Sequence, residues 1–441
     1  MKPILASKLA ARALPCLLAF LGAQSVQFAT DHTNALYRCG ETARFTLRVV
    51  DSNKAPLASG QLAVRLDNFG PRIVTNAVFD LAAGNPVEIS GTLAEPGFLK
   101  CTATIKLEKT VRAVHGVGYE PQRIRAGSPR PADFDAFWDA AVAKLDATVP
   151  ADARLERLDA KSDANRDCFR VSYATAGGLR VWGFLAIPRR GAGPFPVEVN
   201  VPGAGPGVVG PNTGLADRGI IALTMNVHPF EPAPDAAAQK KLYDEQDAAV
   251  KARYGAQRYC HAGATNRETY FYYPIILGIN RAVNQLAERP EVDKARFTYG
   301  GTSQGGGFGL ILCGLNKRFT KGSIHVPAIT DLLGFRAGRD SGWPKLLESL
   351  PAGDKEAAER VAPYFDGAHF AARIHCPVRF SVGFIDETCS PAAVYAGYNA
   401  LAAADKAILH GIGMPHSVFP LFYELHDNQW LRGFPPPAPK P

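Results

Sequence analysis

From residue 26 to about 120, apolar and polar residues alternate with a period of two. Residues 44–50, 61–67, 87–93 and 98–107 each place their apolar side chains on one face, the pattern of a half-buried strand. Turn-forming clusters separate them: Asp51-Ser52-Asn53, Asn68-Phe69-Gly70-Pro71, Ala83-Gly84-Asn85-Pro86 and Pro96-Gly97. Short strands at this spacing predict an immunoglobulin-like β-sandwich over residues 26–120. Such a module either binds carbohydrate or packs on an enzyme and shapes its rim. No exposed aromatic platform is readable, so packing is the expectation. Residues 121–131 are basic and Pro-rich and read as a linker.

Beyond the linker the period changes. Strand candidates at 168–174, 181–187, 197–201, 220–225, 296–300, 378–383 and 406–410 alternate with helical patterns, among them 131–145 and 273–287. That alternation predicts an α/β domain over 132–435 with a mostly parallel central sheet, of the α/β-hydrolase type. Two segments carry no strand pattern: 232–272, rich in Lys, Tyr and Asp, and 327–370. Insertions of this kind form lids or walls at the edge of such a sheet. Tyr254, Tyr259, Tyr270, Tyr272 and Trp343 within them are candidates for stacking on a sugar, with helix packing as the competing reading.

The candidate chemistry begins at Gly301-Thr302-Ser303-Gln304-Gly305, a G-x-S-x-G sequence after the strand candidate at 296–300 and before a small, apolar run at 306–315. Strand, sharp turn and helix is the context of a nucleophile elbow. The flanking glycines are needed because a Cβ there collides with neighbouring chain. The helix N-terminus offers free N–H groups and the positive end of a dipole. A serine nucleophile needs a base and an orienting acid, in the order Ser, Asp or Glu, His for this fold. Asp386 lies just past the strand candidate at 378–383, and His416 lies in the loop after the one at 406–410. Both then sit at the edge of the sheet where ligands bind. Glu387 is the rival acid. Among the other histidines, His410 reads as a buried core residue and His426 as a surface one. His325, His369 and His375 precede Asp386 and so fall in the wrong order.

At these positions the chain resembles a known family. Gly300-Gly301-Thr302-Ser303-Gln304-Gly305-Gly306 is similar to the serine motif of the carbohydrate esterases that include acetyl xylan esterase and cephalosporin C deacetylase. Gly383-Phe384-Ile385-Asp386-Glu387-Thr388-Cys389-Ser390-Pro391 resembles their acid motif, with Tyr398-Asn399 following. Residues 131–138 resemble the helix that opens their catalytic domain, and the likeness spans roughly 120–435. Three features depart from it. No tyrosine follows the strand at 197–201, where the chain reads Pro202-Gly203-Ala204-Gly205. Asn226-Val227-His228-Pro229 stands where the family has Arg-Gly-Gln, and His416-Ser417 replaces its His-Glu pair. The resemblance implies an esterase that deacetylates a sugar or small alcohol. Ser303 is the expected nucleophile, His416 the base and Asp386 the acid. The backbone N–H groups of Gln304 and of Gly203 or Ala204 are the expected oxyanion donors. No cofactor or metal is needed, and no motif such as H-E-x-x-H is present.

Composition adds a compartment. Lys2, Lys8 and Arg12 precede or flank the apolar stretch 14–21, and Ala23-Gln24-Ser25 is a small-x-small site, so residues 1–25 read as a signal peptide. A periplasmic or extracellular enzyme is the expectation. The net charge of +8 drops to +5 when those three basic residues leave. No basic cluster interleaved with aromatics suggests nucleic acid, and no long apolar run suggests a membrane span. Of eight cysteines, Cys16 belongs to the leader, and the remaining odd number leaves at least one thiol unpaired within the chain. Cys39 and Cys101 are the candidate bridge, and a structural role is expected for Cys389. The substrate expected is an acetylated glycan or a small ester, and homo-oligomerisation is left open. The competing readings are a general short-chain carboxylesterase, a serine exopeptidase of the same fold and a glycan-binding protein without activity.

Overall fold

A computed structural model describes residues 24–437. The expected leader therefore lies, but for its last two residues, outside the described residues. The chain divides into two units, Met1–Pro121 and Gln122–Pro441.

Among the described residues the first unit holds eight strands: β1 (Ser25–Thr30), β2 (Leu36–Tyr37), β3 (Ala43–Val50), β4 (Gln61–Asp67), β5 (Ile73–Asp80), β6 (Val87–Gly91), β7 (Gly97–Lys106) and β8 (Thr110–Tyr119). They form a three-stranded sheet, β1-β3-β6, and a five-stranded sheet, β2-β8-β7-β4-β5. All pairings are antiparallel except β2 with β8. Alternation in sequence becomes alternation in burial. Phe45, Leu47 and Val49 of β3, Leu62 and Leu66 of β4, and Leu99, Cys101 and Ala103 of β7 are all buried. Two strands have no clear alternation to announce them. β5 is an edge strand with no fully buried residue, and β8 is interrupted by His115 and two glycines. Cys101 is a free, buried thiol, so the candidate bridge to Cys39 is not formed. Burial pushes its pKa up.

Among the described residues of the second unit, nine strands form one sheet in the order β17-β16-β15-β14-β12-β13-β11-β10-β9. They are β9 (Arg154–Arg157), β10 (Arg166–Ala174), β11 (Arg180–Pro188), β12 (Phe195–Asn200), β13 (Ile221–Met225), β14 (Val292–Thr302), β15 (Lys321–His325), β16 (Val378–Gly383) and β17 (Lys406–Gly411). From β13 to β17 the pairing is parallel, and β9, β10 and β11 add an antiparallel end. The α-helices among the described residues are α1 (Phe134–Thr148), α2 (Thr213–Ala216), α3 (Ala236–Tyr254), α4 (Tyr272–Ala287), α5 (Gln304–Leu315), α6 (Lys355–Val361), α7 (Gly367–Ala371), α8 (Pro391–Ala400) and α9 (Pro420–Phe422). A π-helix, Tyr423–Leu431, closes the described chain. β15, Lys-Gly-Ser-Ile-His, is absent from the sequence expectations. Its only large apolar side chain is Ile324, and its place is set by parallel pairing to both β14 and β16.

Both insertions are helical rather than strand-bearing. α3 is capped at its start by the Asp235 side chain, which accepts from the Ala238 N–H, and ends at Gly255 with φ 64°. Among the described residues, no helix is long and apolar enough to cross a membrane.

Candidate active site

The parallel strands β14, β16 and β17 deliver the candidate residues to one edge. β14 ends at Thr302, and Ser303 follows with φ 59° and ψ −121°, immediately before the first residue of α5. A positive φ is costly for a residue with a Cβ, and here the surroundings impose it. The Ser303 N–H donates to the His325 carbonyl at 3.0 Å, and the Ser303 carbonyl accepts from Gly307 and Ala328, each at 2.9 Å. The glycines are sterically required. A Cβ on Gly305 would stand 2.0 Å from the Val201 carbonyl oxygen, and one on Gly301 would stand 2.6 Å from the Gly305 oxygen.

Ser303 Oγ lies 2.9 Å from His416 Nε2, and His416 Nδ1 lies 2.8 Å from Asp386 Oδ2. The other carboxylate oxygen of Asp386 accepts the Thr388 and Cys389 N–H groups, each at 2.8 Å. Asp386 is fully buried, while the His416 side chain keeps 29 % of its surface. That combination suits an anion that orients and an imidazole that meets substrate. Glu387, the rival acid, is exposed on the same turn. Cys389 lies against Ser303, and burial pushes its thiol well up, so it stays protonated beside the hydroxyl.

Gln304 opens α5, and its backbone N–H is one of the donors at a helix start that have no intrahelical acceptor. Gly203 lies on the other side of Ser303. A Cβ built on it would be 4.0 Å from the Ser303 Cβ. Gly203 and Ala204 are both exposed in the turn after β12.

The structure chooses packing over sugar stacking for the buried aromatics of the insertions and changes the reading of two histidines. Tyr259, Tyr270 and Tyr272 are buried to 1 % exposure or less and offer no face to a sugar. Tyr259 and Tyr272 instead donate to Gln304 Oε1 at 2.7 and 2.9 Å. Their hydroxyls thus fix the side chain of the residue that follows Ser303. Trp343 and Tyr254 are half-buried, with Arg258 over the Trp343 ring and Arg253 over that of Tyr254. His410, expected as a buried, hydrogen-bonded core residue, keeps exposed surface on the edge strand β17, yet its ring packs on Phe384 and Tyr395, its Nε2 meets the Tyr395 hydroxyl at 2.6 Å and burial lowers its pKa. His426, expected at the surface, is buried beside His325, and burial lowers its pKa to about 4.

Behind the elbow lies a polar cluster absent from the sequence reading. His325 Nε2 meets Asp427 Oδ1 at 2.9 Å, and its Nδ1 meets Ser381 Oγ at 2.8 Å. Ser323 Oγ donates to the same Asp427 oxygen. Tyr423, on the same π-helix as Asp427, has its hydroxyl 3.0 Å from Thr302 Oγ1. The C-terminal helix is thereby pinned to the strand residue preceding Ser303. No local motif announces these contacts, because the partners are about one hundred residues apart. His228, where the family resemblance expects Arg-Gly-Gln, has Nδ1 3.0 Å from Gln246 Nε2 and packs edge-on to Tyr259. Burial lowers it to about 4, so it stands as a neutral imidazole in the wall behind Gln304. A cavity of about 380 Å³ lined by Val197, Thr298, Lys321 and Arg432 opens at the opposite, N-terminal ends of the parallel strands. It holds none of the groups at Ser303.

Residues 120–433 match a family model described as acetyl xylan esterase. The acetyl esterase Axe7A of Xylanibacter ruminicola is 27 % identical over 388 residues, covering 86 % of this chain and 84 % of that protein. The solved acetyl xylan esterase from Paenibacillus sp. R4 superposes with a TM-score of 0.60 at 25 % identity, over 71 % of this chain and 98 % of its own. Acetyl xylan esterase 1 from Thermoanaerobacterium, at 19 % identity and a TM-score of 0.58 over 72 % of this chain and 98 % of its own, shares the fold. The second unit is an α/β-hydrolase.

Proposed function

The chain belongs to the acetyl xylan esterase family and is a carboxylic ester hydrolase; from that premise we propose that it deacetylates acetylated xylan or xylo-oligosaccharides through Ser303, His416 and Asp386. The observation carrying the residue assignment is the elbow itself, a serine forced to φ 59° with its Oγ 2.9 Å from His416 Nε2. In this reading Ser303 Oγ attacks the acetyl carbonyl carbon while His416 Nε2 takes the hydroxyl proton. The buried Asp386 carboxylate holds Nδ1–H and stabilises the imidazolium. The oxyanion is met by the Gln304 N–H and by one from the Gly203-Ala204 turn, and losing one such donor costs about 2.7–4 kcal/mol. His416 returns the proton to the sugar hydroxyl as it leaves. Water, activated by the same imidazole, then cleaves the acyl-enzyme.

The first unit is read as immunoglobulin-like. A three-stranded β1-β3-β6 sheet faces the strand order β2-β8-β7-β4-β5, the arrangement of A-B-E against A′-G-F-C-C′ with a parallel first pairing. Residues 1–25 are read as an export signal, which places the enzyme in the periplasm or outside the cell, where polymeric glycans are first met.

The test is kcat/KM for acetyl, propionyl, butyryl and octanoyl esters of one alcohol, with acetylated xylo-oligosaccharides alongside. The acetyl ester is expected to be fastest, since longer acyl chains clash in a small pocket. Ser303→Ala is expected to fold normally and lose nearly all hydrolysis. A maximum at butyryl or beyond turns the reading to a general carboxylesterase. Undiminished turnover by Ser303→Ala removes the nucleophile assignment.

A further inference from the structure

One short segment holds the backbone of Ser303. The Ser303 N–H donates to the His325 carbonyl, and the Ser303 carbonyl accepts the Ala328 N–H. Both backbone groups of the elbow serine are thus tied to residues 325–328. That segment is itself strained. Val326 sits at φ 38°, in the left-handed region that a β-branched side chain rarely enters. Its N–H donates to the Ser381 carbonyl at 3.1 Å. Two residues of unfavourable backbone conformation, Ser303 and Val326, are therefore coupled through neighbouring hydrogen bonds. Such conformations persist only where the surroundings over-determine them. The His325 side chain does this here. Its ring is fully buried, with Nε2 2.9 Å from Asp427 Oδ1 and Nδ1 2.8 Å from Ser381 Oγ. Asp427 lies on the C-terminal π-helix and Ser381 on β16, the strand that leads to Asp386. Tyr423 packs edge-on to the same ring.

We propose that His325, clamped by Asp427 and Ser381, is a positioning residue for the nucleophile: it anchors the strained 325–328 segment and so keeps Ser303 at the positive φ that aims its Oγ at His416. The inference rests on the reading of Ser303 as nucleophile. His325 touches neither substrate nor reacting atoms, and it acts through its own backbone carbonyl and that of its strained neighbour. With the clamp removed, the ring is free to change rotamer and Val326 relaxes toward negative φ. The His325 carbonyl and the Ala328 N–H then move relative to Ser303, and the hydroxyl spends less time in line with His416 Nε2. A displacement of about 1 Å at a reacting atom costs up to about 10²-fold in rate. His325, Asp427 and Ser381 are all buried and lie out of reach of an ester, so the loss falls on kcat rather than on KM.

The test compares Asp427→Ala, Asp427→Asn, Ser381→Ala and the double variant Asp427→Ala/Ser381→Ala, all in the full chain, by thermal melting and by aryl acetate kinetics well below the melting temperature. His369→Gln is the control for a purely structural imidazole. His369 is also buried, with its nitrogens 2.7 and 3.2 Å from the Pro363 and Ser128 carbonyls. Asp427→Ala is expected to lower kcat by about tenfold to 10²-fold with KM within about twofold. Asp427→Asn, whose amide oxygen still accepts from the ring, should recover most of that loss. Ser381→Ala, a small change less disruptive to folding, should lower kcat by about threefold or more. The double variant should lose less than the product of the two, since both act through one ring. The rate at which a fluorophosphonate labels Ser303 should fall in parallel, and His369→Gln should melt earlier with kcat intact. An unchanged kcat in Asp427→Ala, or in Ser381→Ala where the former does not fold, overturns the proposal. So does an equal fall in kcat for His369→Gln, or a loss confined to KM. Hydrolysis surviving in Ser303→Ala removes the nucleophile reading and this inference together; an inactive Ser303→Ala beside an unaffected Asp427→Ala removes this inference alone.

Discussion

At the scale of single residues, environment sets two adjacent carboxylates apart. Asp386 and Glu387 are neighbours, yet Asp386 is fully buried with both oxygens satisfied and one of them on His416 Nδ1. Glu387 faces water. Asp386→Asn presents an amide to Nδ1 and favours the wrong tautomer, so kcat should fall by about 10⁴ with folding retained. Glu387→Gln should leave kcat within about twofold, because a screened surface charge is worth little. Steady-state kinetics on an aryl acetate checks both, and a reversal of the two effects would reassign the acid. Gln304 shows the same logic from the other side. In the sequence it is the variable letter of G-x-S-x-G, but two buried tyrosine hydroxyls converge on its side chain. That convergence fixes the side chain of the first residue of α5, directly after Ser303.

At the scale of elements, the strand–turn–helix around Ser303 works only because other chain passes close to it. Gly305→Ala places a methyl 2.0 Å from the Val201 oxygen, a backbone atom that cannot move without shifting the Gly203-Ala204 turn. Loss of most esterase activity and a drop in melting temperature of several degrees are expected, the mark of a steric and backbone-conformation change. Gly353→Ala meets nothing within 4 Å and is the control, with activity and melting within error of the parent. Equal behaviour of the two variants, measured by thermal melting and acetate hydrolysis, would show that the elbow relaxes. The glycine pattern of this elbow is thus readable in the sequence as a motif, while its steric cause lies in Val201, just after β12 and about one hundred residues earlier.

At the scale of the molecule, buried imidazoles set the acid limit of stability. Burial lowers His228 and His426 to about 4 in the second unit and His115 to about 4 in the first. A folded-state pKa below the ordinary 6.5 means the unfolded chain binds the proton first. The stability these groups allow is therefore complete above about pH 6.5 and is lost as pH falls toward 4, by up to about 3 kcal/mol for His228. Asp331, raised to about 6 by burial against the pull of Arg339, works in the opposite direction and softens the loss. Melting temperature measured from pH 7.5 to 4.5 should fall, and His228→Gln should flatten the slope; an unchanged slope would show that His228 is not among the groups responsible. The sequence by itself determined what short-range pattern encodes: alternation in the first unit, strand–helix alternation in the second, the glycine-framed serine, and an acid and histidine after it in the right order. These depend on side-chain period and turn chemistry within a few residues. Only the tertiary structure decided what depends on distant packing. It buried Tyr259 and Tyr272 beneath Gln304 instead of leaving them to a sugar, and brought His426 inward beside His325. It left His410 on an edge strand and set β15 between β14 and β16 despite its weak pattern. Each is a contact across tens to hundreds of residues, where the chain's own sequence carries no local record of what will lie opposite.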